Sequence, residues 1–279
     1  MTETKFRVFT SAPLPFMGQK RRFVPDFKEA LKLFSKKTIF VDLFGGSGLL
    51  SHIAKRERPD ARVVYNDYDD YHVRLANVER TNHLLSDLKE IAIKVPREKQ
   101  LSPHIRGAVL ERIRQDKESG FVDYITLSSS LLFSIKYVES YEELSKATMY
   151  NRIRKDGYNC SGYLDGLEIV KYDYKELYAQ YKDQKNVVFF VDPPYLSTET
   201  GTYRGYWKLA DYLDVLQCVK DVSFIYFTSE KSSIIELLDW ISNNSQVTSL
   251  FNGTIQKETR NRLNYQSSYK DIMLYKKAE

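Results

Sequence analysis

Residues 187–191 read Val-Val-Phe-Phe-Val, and Asp192-Pro193-Pro194-Tyr195 follows at once. An unbroken run of β-branched and aromatic residues suits a strand buried on both faces. Such strands belong to parallel sheets covered by helices. Proline has no backbone N–H and cannot continue a ladder, so Pro193 and Pro194 stop the strand and stiffen the corner at its carboxyl end. A chain with this segment at its centre is constrained to an α/β sheet. The corner then lies where ligands bind in such sheets, beyond the carboxyl ends of the strands.

The surrounding sequence keeps the same rhythm. Residues 38–44 read as a buried strand broken by Gly45, Gly46 and Gly48, with a helix over 49–56. A short strand at 62–66 and a helix over 71–85 come next, and the alternation implies right-handed crossovers. From 88 to 166 no buried strand is visible. Residues 97–119 are charge-dense, 121–137 read as a helix, and 141–162 are polar, basic and rich in tyrosine. The alternation resumes with strands at 167–170, 186–191 and 223–228 and helices at 174–181, 209–219 and 232–241. Segments 246–251 and 272–275 are expected to close the sheet as an antiparallel pair. The expected fold class is therefore α/β, a doubly wound and mostly parallel sheet. Residues 1–87 and 167–279 would form the catalytic domain, and 88–166 an inserted, mostly helical subdomain.

Composition excludes several classes. No apolar run approaches the roughly 18 residues of a membrane span, and residues 1–16 lack the pattern of a secretory leader. The only cysteines are Cys160 and Cys218, too few for a disulfide framework, so a reducing cytoplasm is expected. His52, His72, His83 and His104 have no ligand spacing with either cysteine, so no metal site is expected. A net charge of +5 and 21 tyrosines permit a polyanionic partner, since rings among Lys and Arg suit base stacking and phosphate contact.

Three motifs carry chemistry. Asp42-Leu43-Phe44-Gly45-Gly46-Ser47-Gly48 sits where a strand turns into a helix. Its glycines allow close backbone approach and positive φ, and the helix start presents free N–H groups. Asn66-Asp67 ends the next strand, where an acid can take both hydroxyls of a ribose. Together they form the layout of a nucleotide-type cofactor, either a dinucleotide or S-adenosylmethionine. Asp192 to Tyr195 separates the two. The Asp192 carboxylate and the proline carbonyls are acceptors, and an exocyclic –NH2 has two hydrogens to give them. Tyr195 offers a face on which a base can stack. Hydride transfer has no use for that arrangement, whereas methyl transfer to an aromatic amine needs the alignment it provides.

With these residues in view, the chain resembles the amino-methyltransferases that act on DNA, specifically the Dam-type adenine methyltransferases. Pro15-Phe16-Met17-Gly18-Gln19-Lys20 resembles the family's N-terminal motif, so Phe16, Gly18 and Lys20 would lie at the methionine end of the cofactor. The family often has Gly-Gly-Lys where this chain has Gly18-Gln19-Lys20. The resemblance assigns Asp42, with Phe44, Gly46 and Gly48, to the methionine amino group and its surroundings. It gives Asp67 to the ribose and Asp173 with Tyr174 to the adenine ring. Asp192, Pro193, Pro194 and Tyr195 resemble its catalytic tetrapeptide, with Asp192 also facing the cofactor.

The resemblance implies a Rossmann-like methyltransferase fold, S-adenosylmethionine as cofactor and methylation of adenine N6 in double-stranded DNA. It implies no metal and no membrane, and a monomer or weak dimer. The alternative is an N4-cytosine DNA methyltransferase or an RNA amino-methyltransferase. Cytosine enzymes more often carry Ser before the two prolines, so Asp192 points to adenine. Tyr150, Arg152, Arg154, Lys155 and Tyr158 are expected to form a DNA-contacting loop. Arg260 and Arg262, with Lys257, are expected at backbone phosphates. Tyr203 and Trp207 would wall the base pocket or pack the core.

Overall fold

The computed structural model describes residues 8–133, 137–194, 208–244, 250–262 and 268–278. In chain order its elements are α1 (Val24–Leu31), β1 (Ile39–Asp42), α2 (Leu49–Glu57), β2 (Arg62–Asn66), α3 (Tyr71–Ala76) and α4 (Val78–Ile91). Next come α5 (Pro103–Ser119), α6 (Tyr124–Leu131), α7 (Tyr141–Lys146), β3 (Glu168–Val170), α8 (Tyr174–Tyr181) and β4 (Val187–Val191). The last are α9 (Leu209–Gln217), β5 (Ser223–Ser229), α10 (Ile234–Asn244), β6 (Ile255–Arg262) and β7 (Ser268–Lys276). The chain divides into two compact units. One comprises Met1–Ser11, Gln19–Asp69 and Leu164–Glu279, the other Ala12–Gly18 and Asp70–Tyr163.

The first unit is a seven-stranded sheet in the order β3-β2-β1-β4-β5-β7-β6. The pairs β1–β2, β1–β4, β2–β3 and β4–β5 are parallel. β7 pairs antiparallel with both β5 and β6. All five residues of β4 are buried, as an unbroken apolar strand requires. Side chains alternate between faces along each strand. Phe40, Val188, Phe190, Phe227 and Met273 face α1 and α2. Val41, Phe189, Val191, Tyr226 and Leu274 face α8 and α9. Helices on both faces make this the doubly wound α/β sheet that the alternation implied.

The expected strand at 246–251 is not where the sheet closes. Leu250 and Phe251 lie in a turn, 246–249 are outside the described residues, and the pairing strand is β6. β6 reads Ile-Gln-Lys-Glu-Thr-Arg-Asn-Arg, with no alternation for a pattern to detect. It is an edge strand held by its ladder to β7 rather than by an apolar face.

The second unit is helical. Leu84, Leu85 and Leu88 of α4 pack with Val109, Ile113, Leu127, Leu131, Leu144 and Met149. That packing explains why the compact unit starts at Asp70, well before the boundary of 88 expected from composition. The helix expected over 71–85 is interrupted at Asn77, whose side-chain amide donates to the Val73 carbonyl. Among the described residues, the helix expected over 121–137 is α6 alone. Asp123 caps it by accepting from Thr126 N at 3.0 Å, and Leu132 ends it in extended conformation. Arg74 is buried against Asp123 at 3.0 Å and donates to the Pro15 carbonyl at 2.9 Å. The Tyr71 hydroxyl contacts the backbone of Leu14. Among the described residues no helix is long and apolar enough to cross a membrane.

Candidate active site

The sheet brings carboxylates together at the carboxyl ends of its parallel strands. Asp42 is the last residue of β1, in register with Phe190 of β4. Asp192 lies two residues beyond Phe190, so pleating puts both carboxylates on the α1 face of the sheet. Lys20 reaches this face from the turn that precedes α1. Its Nζ lies 2.5 Å from Asp192 Oδ2, with side chains only 8% and 17% exposed. The ammonium also sits over the Phe227 ring, 5.8 Å from its centroid. Burial pushes the Asp192 carboxyl upward, Lys20 pulls it back down, and the charge of Asp271 adds to the rise.

Asp42 is fully buried. Ser51, in the first turns of α2, donates to its Oδ2 at 2.8 Å. Its Oδ1 is buried and has no hydrogen-bond partner among the described residues. Burial raises its carboxyl to about 7; the Ser51 hydrogen bond opposes the rise and the charge of Asp192 adds to it. Between its ordinary value of 3.8 and about 7, the folded chain keeps a proton that the unfolded chain has lost. Unfolding releases that proton, so Asp42 makes the ligand-free fold less stable as pH rises through this window, and level above it. Asp42→Asn removes this contribution. The melting temperature of the variant should exceed that of the wild type by more at pH 8 than at pH 5, as calorimetry at the two pH values would show.

The glycine turn is shaped by Tyr65 and Asn66. A Cβ on Gly45 would lie 2.3 Å from the Tyr65 ring and 2.7 Å from the Asn66 carbonyl, so only glycine fits there. Gly46 and Gly48 have φ of 50° and 71°, the left-handed region that favours glycine. The Tyr65 hydroxyl donates to the Gly46 carbonyl at 2.8 Å. Asn66 ties two loops to the sheet end. Its amide donates to Leu43 O at 2.9 Å and Tyr172 O at 3.0 Å, and its oxygen accepts from Tyr172 N at 2.9 Å. Asp67 is 1% exposed, with its N–H on the Val170 carbonyl. Phe44 and Tyr174 pack ring to ring, 4.9 Å between centroids. Asp173 caps α8 through Lys175 N at 2.8 Å.

Other expected site residues are placed as follows. Phe16 and Gly18 belong to the second unit, where Phe16 packs edge-on against Tyr71 at 5.6 Å and Gly18 has φ of 80°. Pro193 is buried and Pro194 half-buried; Tyr195, Tyr203 and Trp207 lie outside the described residues. Arg152 is tied down, donating to Leu132 O at 2.7 Å and lying over the Phe133 ring. Tyr150 packs against the same ring at 4.5 Å. Arg154 is exposed and lies over Tyr158, 4.2 Å from its centroid. Lys155 is exposed, and Asn82 holds the backbone of Tyr158 at both N–H and carbonyl. Arg260 is exposed on β6, while the side chain of Arg262 lies outside the described residues.

Sequence reading missed Ser51, Tyr65 and Asp271 and gave Asn66 no role. The nine-residue spacing from Asp42 to Ser51 was the one local signal available, since a strand end and the next helix meet across a glycine turn. Asp271 had none, because only strand pairing brings β7 to this site.

A doubly wound sheet with acids at the ends of β1, β2 and β4 and a glycine turn after β1 is the layout of Rossmann-like proteins that bind a nucleotide-type cofactor. The chain belongs to the D12 class N6 adenine-specific DNA methyltransferases, whose family model matches residues 16–262. It is 33% identical over 286 residues to a Haemophilus influenzae protein named "Putative methyltransferase", covering 97% of this chain and 93% of that one. Among solved structures, a precorrin-6y C5,15-methyltransferase from Geobacter metallireducens matches with a TM-score of 0.38 and 10% identity, over 98% of this chain and all of that one. An rRNA methylase from Streptococcus thermophilus matches with a TM-score of 0.34 and 10% identity, over 95% of this chain and all of that one. Scores this low carry no weight for fold or chemistry.

Proposed function

We propose that this chain transfers the methyl group of S-adenosylmethionine to the N6 amine of an adenine turned out of double-stranded DNA. The observation that carries this reading is the pair of carboxylates at the ends of β1 and β4: Asp42 with a buried unpartnered oxygen, and Asp192 beside a stiff proline corner. An orphaned buried carboxylate oxygen suits an ammonium group, which is the chemistry of the donor's methionine part. Asp42 would hold that ammonium, Asp67 the ribose hydroxyls, and Tyr174 and Asp173 the adenine ring, with Phe44 packed on Tyr174. Phe16 and Gly18 are assigned to the donor by resemblance.

The bound donor supplies an electrophilic methyl on a sulfonium sulfur that leaves as a neutral thioether. Asp192 and the Pro193 carbonyl accept the two hydrogens of the target amine, which turns its lone pair toward the methyl. The methylated amine then carries a proton too many, and the Asp192 carboxylate is the acceptor at hand. Its Lys20 partner opposes the rise that burial imposes on its carboxyl. Pro194 holds the corner stiff, and Tyr195 stacks on the base. Turning the base out costs a few kcal/mol.

The second unit is proposed to read the DNA, with Arg154 and Lys155 at phosphates or base edges and Tyr150, Arg152 and Tyr158 shaping the loop that carries them. Arg260 and Arg262 would contact the backbone from β6.

Donor affinity should rise as pH goes from about 6 to about 8, because Asp42 must be ionised to hold an ammonium. Incubation with tritiated S-adenosylmethionine and duplex DNA, single-stranded DNA or RNA of one sequence tests the substrate class. Label is expected in the duplex. Label in RNA with none in the duplex would overturn the reading.

A further inference from the structure

A third carboxylate faces the same site. Asp271 of β7 is in register with Ser229 at the end of β5, and it lies two residues from Met273 on the α1 face of the sheet. That is the face carrying Asp42, Asp192 and the Lys20 ammonium. Asn261 of β6 donates to Asp271 Oδ2, and Asn261 in turn accepts from Arg22, two residues after Lys20. Arg22 also donates to the Arg260 carbonyl at 2.8 Å. The β6–β7 hairpin is thus fastened to the turn that presents Lys20. Among the described residues Asp271 Oδ1 is buried with no well-aligned hydrogen-bond partner, the Ser229 hydroxyl being the nearest donor to this carboxyl besides Asn261. A buried carboxylate oxygen left open beside a lysine is costly unless a donor reaches it in some state of the protein.

We infer that Asp271 is the second seat of Lys20, a positioning residue that takes the ammonium when Asp192 accepts the amine of the target base. The inference rests on the role of Asp192 given above. In the ligand-free fold Lys20 occupies Asp192 Oδ2. A carboxylate held by an ammonium at that distance is a weak proton acceptor. Moving Lys20 to Asp271 frees the Asp192 oxygen and restores its basicity, without leaving the lysine charge buried and unpaired. The methylated amine loses its N–H proton to the Asp192 carboxylate, which becomes the neutral acid. Release of that proton to solvent lets Lys20 return to Asp192.

Among the described residues, the charged and titratable groups around the pair are Lys20, Asp42, Asp192, Asp271, Arg22, Tyr226 and Tyr269. Burial raises the Asp271 carboxyl, and Lys20, hydrogen bonds from Asn261 and Ser229, and then Arg22 pull it down. Its own charge raises Asp192. Removing that charge should therefore lower the value at which Asp192 takes up a proton.

The test compares wild type, Asp271→Asn, Asp271→Glu and Asn261→Ala. Single-turnover methylation of duplex DNA should fall at least about tenfold in Asp271→Asn, with donor Kd and KM for DNA within about twofold. The acid limb of its rate profile should move to lower pH. Asp271→Glu should recover part of the rate, and Asn261→Ala should show a smaller loss of the same kind should Asp271→Asn fail to fold. Carboxyl carbon NMR of the ligand-free protein, with Asp192→Asn for assignment, should show the Asp192 titration at lower pH in Asp271→Asn. An unmoved acid limb and unmoved Asp192 titration would overturn the inference, whatever the rate. If the wild type methylates no DNA, the reading of function fails instead, and the NMR titration alone decides whether Asp271 shares Lys20.

Discussion

Asp192→Ala will slow methyl transfer at saturating donor and DNA by about 100- to 1000-fold while leaving donor affinity within about threefold. The split follows from what the side chain touches. Asp192 pairs with Lys20 at the mouth of the proline corner, whereas the open oxygen offered to the donor belongs to Asp42. On the proposed reading, losing Asp192 removes one of two acceptors for the amine and the group that takes its proton. On the same reading Asp42 is the partner of the donor's ammonium, so Asp42→Asn should lose donor binding instead. Stability changes as well. Removing one partner of a buried ion pair costs about 3–5 kcal/mol when the other charge is stranded. Asp271 stands ready as a second partner for Lys20, so the loss should fall at or below the low end. Single-turnover kinetics, donor titration calorimetry and thermal melts on one preparation separate these effects. Unchanged turnover in Asp192→Ala would remove the basis for the catalytic role.

Gly45→Ala should be the most damaging single-methyl addition in the first unit. The new Cβ would sit 2.3 Å from two carbons of the Tyr65 ring and 2.7 Å from a backbone oxygen. The ring cannot retreat freely, because its hydroxyl is held on the Gly46 carbonyl and the side chain is fully buried. Nor can the oxygen, because Asn66 is fixed by three hydrogen bonds. Overpacking of this kind costs about 3 kcal/mol, which at a few degrees per kcal/mol is a melting temperature lowered by about 6–12 °C. Donor affinity should fall more than about tenfold, since the turn must shift. Gly107→Ala is the contrasting variant. It lies in α5 with open space around its Cβ position, so alanine should raise stability by up to about 1 kcal/mol. Equal effects at the two positions would show that the Tyr65 contact does not govern the turn.

What the sequence reveals follows from how local each cause is. β4 was legible because an unbroken apolar run closed by two prolines has few other readings, and β1 because glycines follow it directly. Asp42 and Asp192 were legible because their places at strand ends are set within a few residues. β6 was not, since an edge strand takes its order from β7 and carries mostly polar side chains. The start of the second unit at Asp70 was hidden because α4 has the same amphipathic pattern whichever core it packs against. Arg74 carries no signal in the sequence, because its partners Asp123 and the Pro15 carbonyl are brought to it only by the fold. Asp271 is separated from Lys20 by most of the chain, and only the antiparallel ladder brings it to the site.

An amine gripped at the Asp192 corner is the centre of the proposed mechanism, and the fate of the methyl group tests it most directly. Duplex DNA methylated by the wild-type protein with labelled S-adenosylmethionine can be digested to nucleosides and separated by mass. The predicted result is label in N6-methyl-2′-deoxyadenosine, accumulating more slowly in Asp192→Ala in step with its lower turnover. Label in N4-methyl-2′-deoxycytidine, or label in adenine that survives Asp192→Ala undiminished, would contradict it.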